Sequence, residues 1–171
     1  MADVMLAVMA VLRQEDETLS GRISQIAGDS GGATRFGLAS HYHPELALAT
    51  YYTSMSRDEA LQIAVKTLIA KYADPLRIGE IADQPVATKL LSYDVNEDPE
   101  RATEALQRAI NQALSASPVA VDGKMGPFTV AAANRCDPVS LLDAFKLQMI
   151  ARYVAHAQDN VLRGLLRRAL A

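Results

Sequence analysis

Three acidic residues, Glu15, Asp16 and Glu17, stand together at the end of an apolar segment and just before a glycine-rich loop. A carboxylate near the C-terminal end of a helix opposes the helix dipole, so this position is locally unfavourable and indicates a possible function. A carboxyl group that is desolvated against an apolar helix has a raised pKa and holds its proton near neutral pH, as the general acid of glycoside cleavage must. The same three residues also suit a solvated acidic helix end.

A second group of chemically interesting residues lies in the segment 29–37, Asp-Ser-Gly-Gly-Ala-Thr-Arg-Phe-Gly. Gly31 and Gly32 allow a tight turn or a close approach of the backbone to a ligand. Asp29 and Thr34 bracket the turn, and their side chains suit hydrogen bonds that hold it. A carboxylate at Asp29 can also face the acidic cluster across a cleft, and two opposed carboxylates are the minimal equipment for glycosidic hydrolysis. A plain loop fits these residues equally well.

Other chemistries find little support in the sequence. His41 and His43 are two positions apart, so on a helix they point to different faces, and without a nearby cysteine they do not predict a zinc site. Cys136 is the only cysteine and has no neighbouring residues that indicate a nucleophile. The chain contains neither a GxSxG elbow nor a GxxxxGK[ST] phosphate loop. We therefore expect no metal ion and no cofactor.

Composition places the chain among ordinary globular proteins, since it has 171 residues of which 50% are hydrophobic and 22% charged. A net charge of −3 argues against a nucleic-acid partner, which needs clustered cations. Arg163, Arg167 and Arg168 suit a basic last helical turn or a patch that faces an anionic polymer. The apolar N-terminal segment lacks a basic region and a cleavage site and is too short to span a bilayer, so we expect synthesis in the cytoplasm without a signal peptide and no membrane partner.

The elements that must position these residues are predicted to be helices, because the apolar spacing is helical almost throughout. Aspartate–proline pairs and a Ser56 to Glu59 capping box mark several helix starts or stops. Only Thr50 to Thr53 and Val119 to Val121 suit short strands. The predicted helices cover residues 2–16, Phe36 to Tyr42, Pro44 to Tyr51, the stretch from the capping box to Asp74, 84–95, the stretches after Asp98-Pro99 and Asp137-Pro138, and about 161–170.

Several segments carry recognisable motifs in a fixed order along the chain. The first two segments are Val11 to Glu15 and 29–37. They correspond to a motif that consists of a helix ending in Glu-Gly-Gly and a loop with the pattern Asp-x-Gly-Gly-x-Thr-x-x-Gly. Val95-Asn96, Ala105 to Ala109 and 121–129 follow as Val-Asn, Leu-Gln-Arg-Ala and Val-Asp-Gly-x-x-Gly-Pro-x-Thr segments. This ordered set resembles the glycoside hydrolase family 108 muramidases, which have a C-terminal predicted peptidoglycan-binding lobe. Here Asp and Glu replace the two glycines after the acid.

The resemblance implies an all-α fold with a lysozyme-like helical body in residues 1–96 and a small helical C-terminal lobe in 97–171, packed as one unit. It implies cleavage of the β-1,4 bond between N-acetylmuramic acid and N-acetylglucosamine. Glu15 would protonate the leaving oxygen, with Glu17 as a rival. Asp29 would be the second carboxylate, and Thr34 would shape the loop or orient water. The residues expected to bind the glycan are Gly31, Gly32, Tyr42, Tyr93 and Asn96, with Tyr51 and Tyr52 as further aromatic candidates.

Such enzymes act in phage lysis, or as toxins that a contractile (type VI) secretion system delivers into a rival's periplasm. The expected partners are therefore the peptidoglycan glycan strand and either an immunity protein or a component of the secretion system. A different interpretation is a non-catalytic peptidoglycan-binding module, in which the altered acidic cluster no longer catalyses. A third is an adaptor that keeps only the helical scaffold.

Overall fold

In a computed structural model of the chain, the structure describes residues 1–25, 31–114, 118–156 and 159–170. Within these residues the protein is all-α, as predicted, with one hairpin of two very short strands. The elements are α1 (Val4–Glu15), β1 (Thr34–Arg35), β2 (Leu38–Ala39), α2 (Pro44–Leu48), α3 (Arg57–Leu68), a π-helical turn (Ile69–Ala73), a 3-10 turn (Ile78–Glu80), α4 (Gln84–Asp94), α5 (Pro99–Ala113), α6 (Pro127–Ala133), α7 (Pro138–His156) and α8 (Asp159–Leu170).

Helix α1 is the central element of the N-terminal part. Its first turn is capped by Asp3, whose carboxylate accepts a hydrogen bond of 3.0 Å from the Leu6 amide. Four of its side chains, Ala7, Val8, Val11 and Leu12, are buried. Near its end, the Ser92 hydroxyl of α4 donates a hydrogen bond of 2.6 Å to the Gln14 side chain. Helix α1 is thus held along its length against α4, and its last residue, Glu15, has a defined position.

The C-terminal part packs on the other side of α4. The ring of Tyr93 makes edge-to-face contacts with Phe145 and Tyr153 of α7, with ring centroids 5.8 and 5.6 Å apart. Helix α7 also lies against α5. One cluster of buried apolar side chains runs through both parts of the chain. Helix α4 therefore connects the two halves through a shared core.

The segment Phe36 to Tyr42 is a hairpin turn followed by further turns, so the predicted helix there is wrong. Thr34 pairs with Ala39 in an antiparallel ladder, and the two residues between the strands both have positive φ, 50° at Phe36 and 77° at Gly37. This is the backbone of a two-residue type I′ hairpin, which no helix contains. Long-range packing stabilises it, because the Phe36 ring is buried against Gly21, where an added Cβ would lie 2.7 Å from the ring.

Two further expectations are corrected by backbone geometry. The helix expected over Pro44 to Tyr51 ends at Leu48, because Thr50 adopts a left-handed φ of 59°. For the same reason, Thr50 to Thr53 form turns instead of a strand. The segment Val119 to Val121 is not a strand either, since its first residue hydrogen bonds through both its backbone groups to the Asn111 side chain.

Candidate functional site

The turn after α1 is built by Asp16. Its carboxylate accepts hydrogen bonds from the amides of Ser20, at 3.0 Å, and Gly21, at 2.7 Å. Burial opposes ionisation, but these hydrogen bonds outweigh it and hold the pKa of Asp16 below its ordinary value. Asp16 therefore builds this turn with its side chain, at a position where the motif that the sequence resembles has glycine. Because its carboxylate is occupied in this way, Asp16 is a structural residue and a poor proton donor.

A buried arginine ties this turn to the hairpin. Arg35 is only 5% exposed, and its guanidinium donates to the carbonyl oxygens of Gly21 at 2.8 Å, Tyr51 at 2.9 Å and Met55 at 3.0 Å. In return, the Tyr51 hydroxyl donates to the Arg35 carbonyl at 3.1 Å. A planar guanidinium suits this task because its donors diverge in a fixed geometry. Arg35 therefore joins the segments that surround the end of α1.

Glu15 lies directly against the hairpin turn. A Cβ placed on Gly37 would be 2.7 Å from the Glu15 Cγ and 3.0 Å from its Cβ, so the contact exists only because residue 37 has no side chain. Glu15 is partly buried, whereas Glu17 is exposed. The structure thus places the Glu15 side chain between the apolar helix and the hairpin, where its orientation is restricted. No comparable restraint acts on Glu17 among the contacts of the described residues.

The other residues predicted for the loop have different outcomes. Asp29 lies outside the described residues. Thr34 forms an isolated bridge with Ser24, with hydrogen bonds of 2.9 and 2.8 Å between their backbones, so it extends the hairpin. The Gly31 carbonyl accepts from His41 at 3.0 Å, and Gly32 has a φ of 74° with Ser40 close by. Both glycines are therefore accounted for by turn geometry, and their contact with a glycan stays a prediction.

Of the four tyrosines considered as sugar platforms, one is available. Tyr42 is 67% exposed. Tyr93 is 1% exposed and its ring is enclosed by aromatic neighbours, and Tyr51 and Tyr52 are also buried. The rings of Tyr51, Tyr52 and Tyr93 belong to the buried core, and a contact of Tyr93 with a glycan stays a prediction. Tyr42 remains the one exposed aromatic candidate among the four.

A cleft of about 430 Å³ opens beside the hairpin and the end of α4. It contains the predicted Asn96, whose amide donates to the Ser92 carbonyl at 2.8 Å. It also contains Asp94, which is 1% exposed, and sequence analysis did not select this residue. The local sequence Leu-Ser-Tyr-Asp does not indicate that this aspartate is buried or functional, because its burial depends on distant segments of the chain. The lining residues are Gly37, Ala39, Tyr42, His43, Tyr72, Asp94, Val95, Asn96, Glu97, Asp98 and Pro99.

The motif segments of the C-terminal part contact each other through hydrogen bonds. The buried Gln107 side chain donates to the Asp122 carboxylate at 2.8 Å and accepts from the amides of Asp122, at 2.9 Å, and Gly123, at 3.1 Å. The Leu-Gln-Arg-Ala helix therefore fixes the Val-Asp-Gly turn. A wide groove of about 1060 Å³ runs past this turn, and three of its cations are ion-paired: Arg101 with Asp98, Arg108 with Glu104 and Arg152 with Glu97.

The part of the chain that the structure describes was compared with the requirements of a metal site, a membrane span and a cysteine nucleophile. Among the described residues, no group of three or more His, Cys, Asp or Glu side chains is placed to hold a metal ion. No helix in the described ranges is long and apolar enough to cross a membrane. Burial raises the pKa of the Cys136 thiol, which disfavours the thiolate form that a nucleophile requires.

Comparisons with known proteins gave one family match and a similarity of fold. Residues 101–169 match the model of a family described as a predicted peptidoglycan domain. The whole fold is similar to a solved structure of SagA from Brucella abortus, with a TM-score of 0.70 and 17% identity over 98% of this chain and 93% of that chain. No curated protein matches the sequence. The chain therefore has a fold shared over nearly its full length with a known structure, and its C-terminal part links it to peptidoglycan.

Proposed function

We propose that the protein is a peptidoglycan hydrolase that cleaves the β-1,4 bond between N-acetylmuramic acid and N-acetylglucosamine, in the manner of the glycoside hydrolase family 108 muramidases. The observation that carries this proposal is the position of Glu15. It ends helix α1, which buries one face in the core, and it contacts Gly37, which in turn lines the cleft beside the hairpin. A general acid needs such a position, fixed in geometry and next to space for a substrate. The peptidoglycan-domain match of residues 101–169 supports the choice of polymer.

In this proposal Glu15 protonates the leaving oxygen of the scissile bond. Asp29 positions water or stabilises the oxocarbenium-like transition state, and Thr34 shapes the loop or orients water. Glu17 is the less favoured acid because it is exposed, and a solvated carboxyl lacks the restraint that the hairpin gives to Glu15. Asp16 is not proposed as the acid, because its carboxylate already accepts hydrogen bonds from two backbone amides.

We extend the proposal to the biological setting, an effector delivered by a secretion system or a phage endolysin acting in the periplasm. An effector would be accompanied by an immunity protein that binds it tightly. Expression of the chain with an added periplasmic signal should lyse Escherichia coli, whereas cytoplasmic expression should not. Rescue by a neighbouring gene product that binds the protein would support the effector, and lysis without such a protein would support the endolysin.

The peptidoglycan-domain match also favours a second candidate, a binding module without catalysis. The match covers the C-terminal part only, and that part contains neither Glu15 nor the hairpin. Such a module would sediment with isolated sacculi and release nothing. A protein that neither sediments with sacculi nor digests them would be an adaptor on the same scaffold.

The deciding experiment is incubation of the purified protein with sacculi, followed by mass spectrometry of the soluble products. The hydrolase should release muropeptides with new reducing ends, and anhydro ends would instead indicate a lytic transglycosylase. Glu15→Gln should lower the rate by about 100-fold to 10,000-fold, because general acid catalysis contributes about that much. Glu17→Gln is the matched control and should keep the wild-type rate. The reverse result, with both variants folded, would assign the acid to Glu17.

A further inference from the structure

The floor of the cleft beside the hairpin contains a buried carboxyl group that the structure leaves unsatisfied. Both oxygens of Asp94 are buried, and within the described residues neither has a hydrogen-bond partner. Buried polar groups are almost always paired, and an unpaired one is costly. Asp94 is also the last residue of α4, where the partial negative charge of the helix end opposes a carboxylate. A group kept in this unfavourable position indicates a ligand that supplies the missing partner.

The protonation state of Asp94 follows from its surroundings. Burial, and then the charge of Asp98, raises the pKa of Asp94 to about 7. The carboxyl group is therefore largely protonated at mildly acidic pH and can then donate one hydrogen bond as well as accept one. The charged groups that line the same cleft are Glu97 and Asp98. Both lie near Arg101, at 4.0 and 2.9 Å respectively, so their charges are partly balanced.

Two further residues that line the cleft, His43 and Tyr72, are polar but uncharged. The His43 Nε2 and the Tyr72 hydroxyl share a hydrogen bond of 2.9 Å. Burial, and then the charge of Lys71, lowers the pKa of His43 below its ordinary value, although Glu45 acts in the opposite sense. Burial, and then the charge of Asp94, raises the pKa of the Tyr72 hydroxyl, so it stays neutral. The imidazole and the phenol thus present hydrogen-bonding groups without net charge near neutral pH.

The shape and chemistry of the cleft favour a sugar as its occupant. Neutral hydroxyl, amide and carboxyl groups suit the hydroxyl and acetamido groups of an N-acetylated hexose, and the exposed ring of Tyr42 at the cleft provides an apolar face. A volume of about 430 Å³ is sufficient for one such ring. An anionic ligand is disfavoured, because the cleft contains three carboxyl groups and no lysine or arginine among its lining residues.

We propose that this cleft is a binding subsite for one N-acetylated hexose of the glycan, in which the protonated Asp94 hydrogen bonds to the sugar. The proposal rests on the proposed function only for the choice of glycan as ligand. Gly37 connects the two sites, since it lines the cleft and also supports the side chain of Glu15. A sugar bound over Asp94 therefore shares this hairpin glycine with the proposed acid. Asp94 is a binding and positioning residue in this arrangement, and it transfers no proton to the scissile bond.

The test measures the affinity of the purified full chain for tri-N-acetylchitotriose. The sugar is titrated into the protein and binding is monitored by NMR at several pH values between about 5.5 and about 8.5. The wild-type affinity should fall by about 30-fold over this range, because the protonated fraction of a carboxyl with a pKa of about 7 falls by about that factor. Asp94→Asn keeps a neutral donor and acceptor, so it should bind with nearly the same affinity at every pH. Asp94→Ala should bind weakly throughout, and Asp143→Asn, at an exposed position on α7, should behave as wild type.

Two results would overturn the proposal. One is an equal pH dependence in wild type and Asp94→Asn, and the other is the absence of chitotriose binding by a wild-type protein that digests sacculi. The second outcome would leave the hydrolase intact and remove only the subsite. Conversely, a protein that binds chitotriose with the Asp94 pH profile but releases nothing from sacculi would retain the subsite and refute the hydrolase. If Asp94→Ala does not fold, the comparison of wild type with Asp94→Asn decides alone.

Discussion

Replacement of Gly37 by alanine tests directly whether the hairpin positions Glu15, the proposed catalytic acid. Residue 37 has a φ of 77°, and a left-handed conformation costs an alanine about 1–2 kcal/mol. The new Cβ would also stand 2.7 Å from the Glu15 Cγ. An ordinary carbon–carbon contact begins near 3.4 Å, so the Glu15 side chain or the turn must move by about 0.7 Å.

The expected consequence is a loss of activity that exceeds the loss of stability. A misplacement of about 1 Å can cost about 100-fold in rate, so we expect Gly37→Ala to cleave sacculi about 10-fold to 100-fold more slowly while it remains folded. The melting temperature should fall by about 2–8 °C, since 1 kcal/mol shifts it by about 2–4 °C in a protein of this size. Release of muropeptides and thermal unfolding measure the two effects on the same samples.

The chain offers a matched control at Gly123. This glycine has a φ of 68°, and an added Cβ would lie 2.5 Å from the Cγ of another glutamate, Glu100. Gly123→Ala should therefore lose a similar amount of stability and keep its cleavage rate within about twofold. If Gly37→Ala also keeps its rate, the contact between the hairpin and Glu15 is irrelevant to catalysis and the reasoning is refuted. Equal rate losses in both variants would instead show an effect of general destabilisation.

Two further predictions concern stability. Arg35→Met removes the donor to three backbone carbonyls at once and should lower the free energy of unfolding by at least about 3 kcal/mol. The control Arg101→Met, at an exposed ion pair, should lower it by less than about 1 kcal/mol. Equal losses of the two variants in urea denaturation would contradict a structural role of Arg35. Asp94 has a folded-state pKa of about 7 against an ordinary value of 3.8, so the folded state binds more protons between these values and stability should fall as the pH rises from about 4 to about 7. The free energy of unfolding of Asp94→Asn should not fall in this way, so at about pH 8 it should exceed that of the wild type by up to about 4 kcal/mol. If the unfolding free energies of the two proteins depend on pH in the same way, Asp94 does not have the raised pKa.

Much of the helical architecture could be predicted because its signals are local. The capping box at Ser56 and Glu59 is present, and Asp98 accepts from the Arg101 amide at the start of α5. Each of these signals involves residues three positions apart, so no distant contact is needed to interpret it. The same holds for Glu15, whose place at the end of an apolar helix is visible in the sequence alone.

The elements that the sequence misplaced depend on distant partners. The hairpin at Phe36 and Gly37 has no Asn-Gly or Asp-Gly signature, and its left-handed phenylalanine is supported by packing against Gly21. Tyr93 resembles a possible sugar platform in the sequence, yet α7 covers its ring. In both cases the conformation or the exposure of a residue is set by a segment far away in the chain.

The sequence by itself determined the helical class, the ends of most helices and the acidic residues after α1, because capping and apolar periodicity act within a few residues. Only the tertiary structure distinguished the surroundings of the three acids. Packing of the hairpin onto α1 restrains Glu15, the turn occupies Asp16, and solvent surrounds Glu17. Burial likewise turned Asp94, an ordinary aspartate in the sequence, into a carboxyl group that lines a cleft and has no hydrogen-bond partner among the described residues. Desolvation is a property of the assembled fold, and no local pattern encodes it.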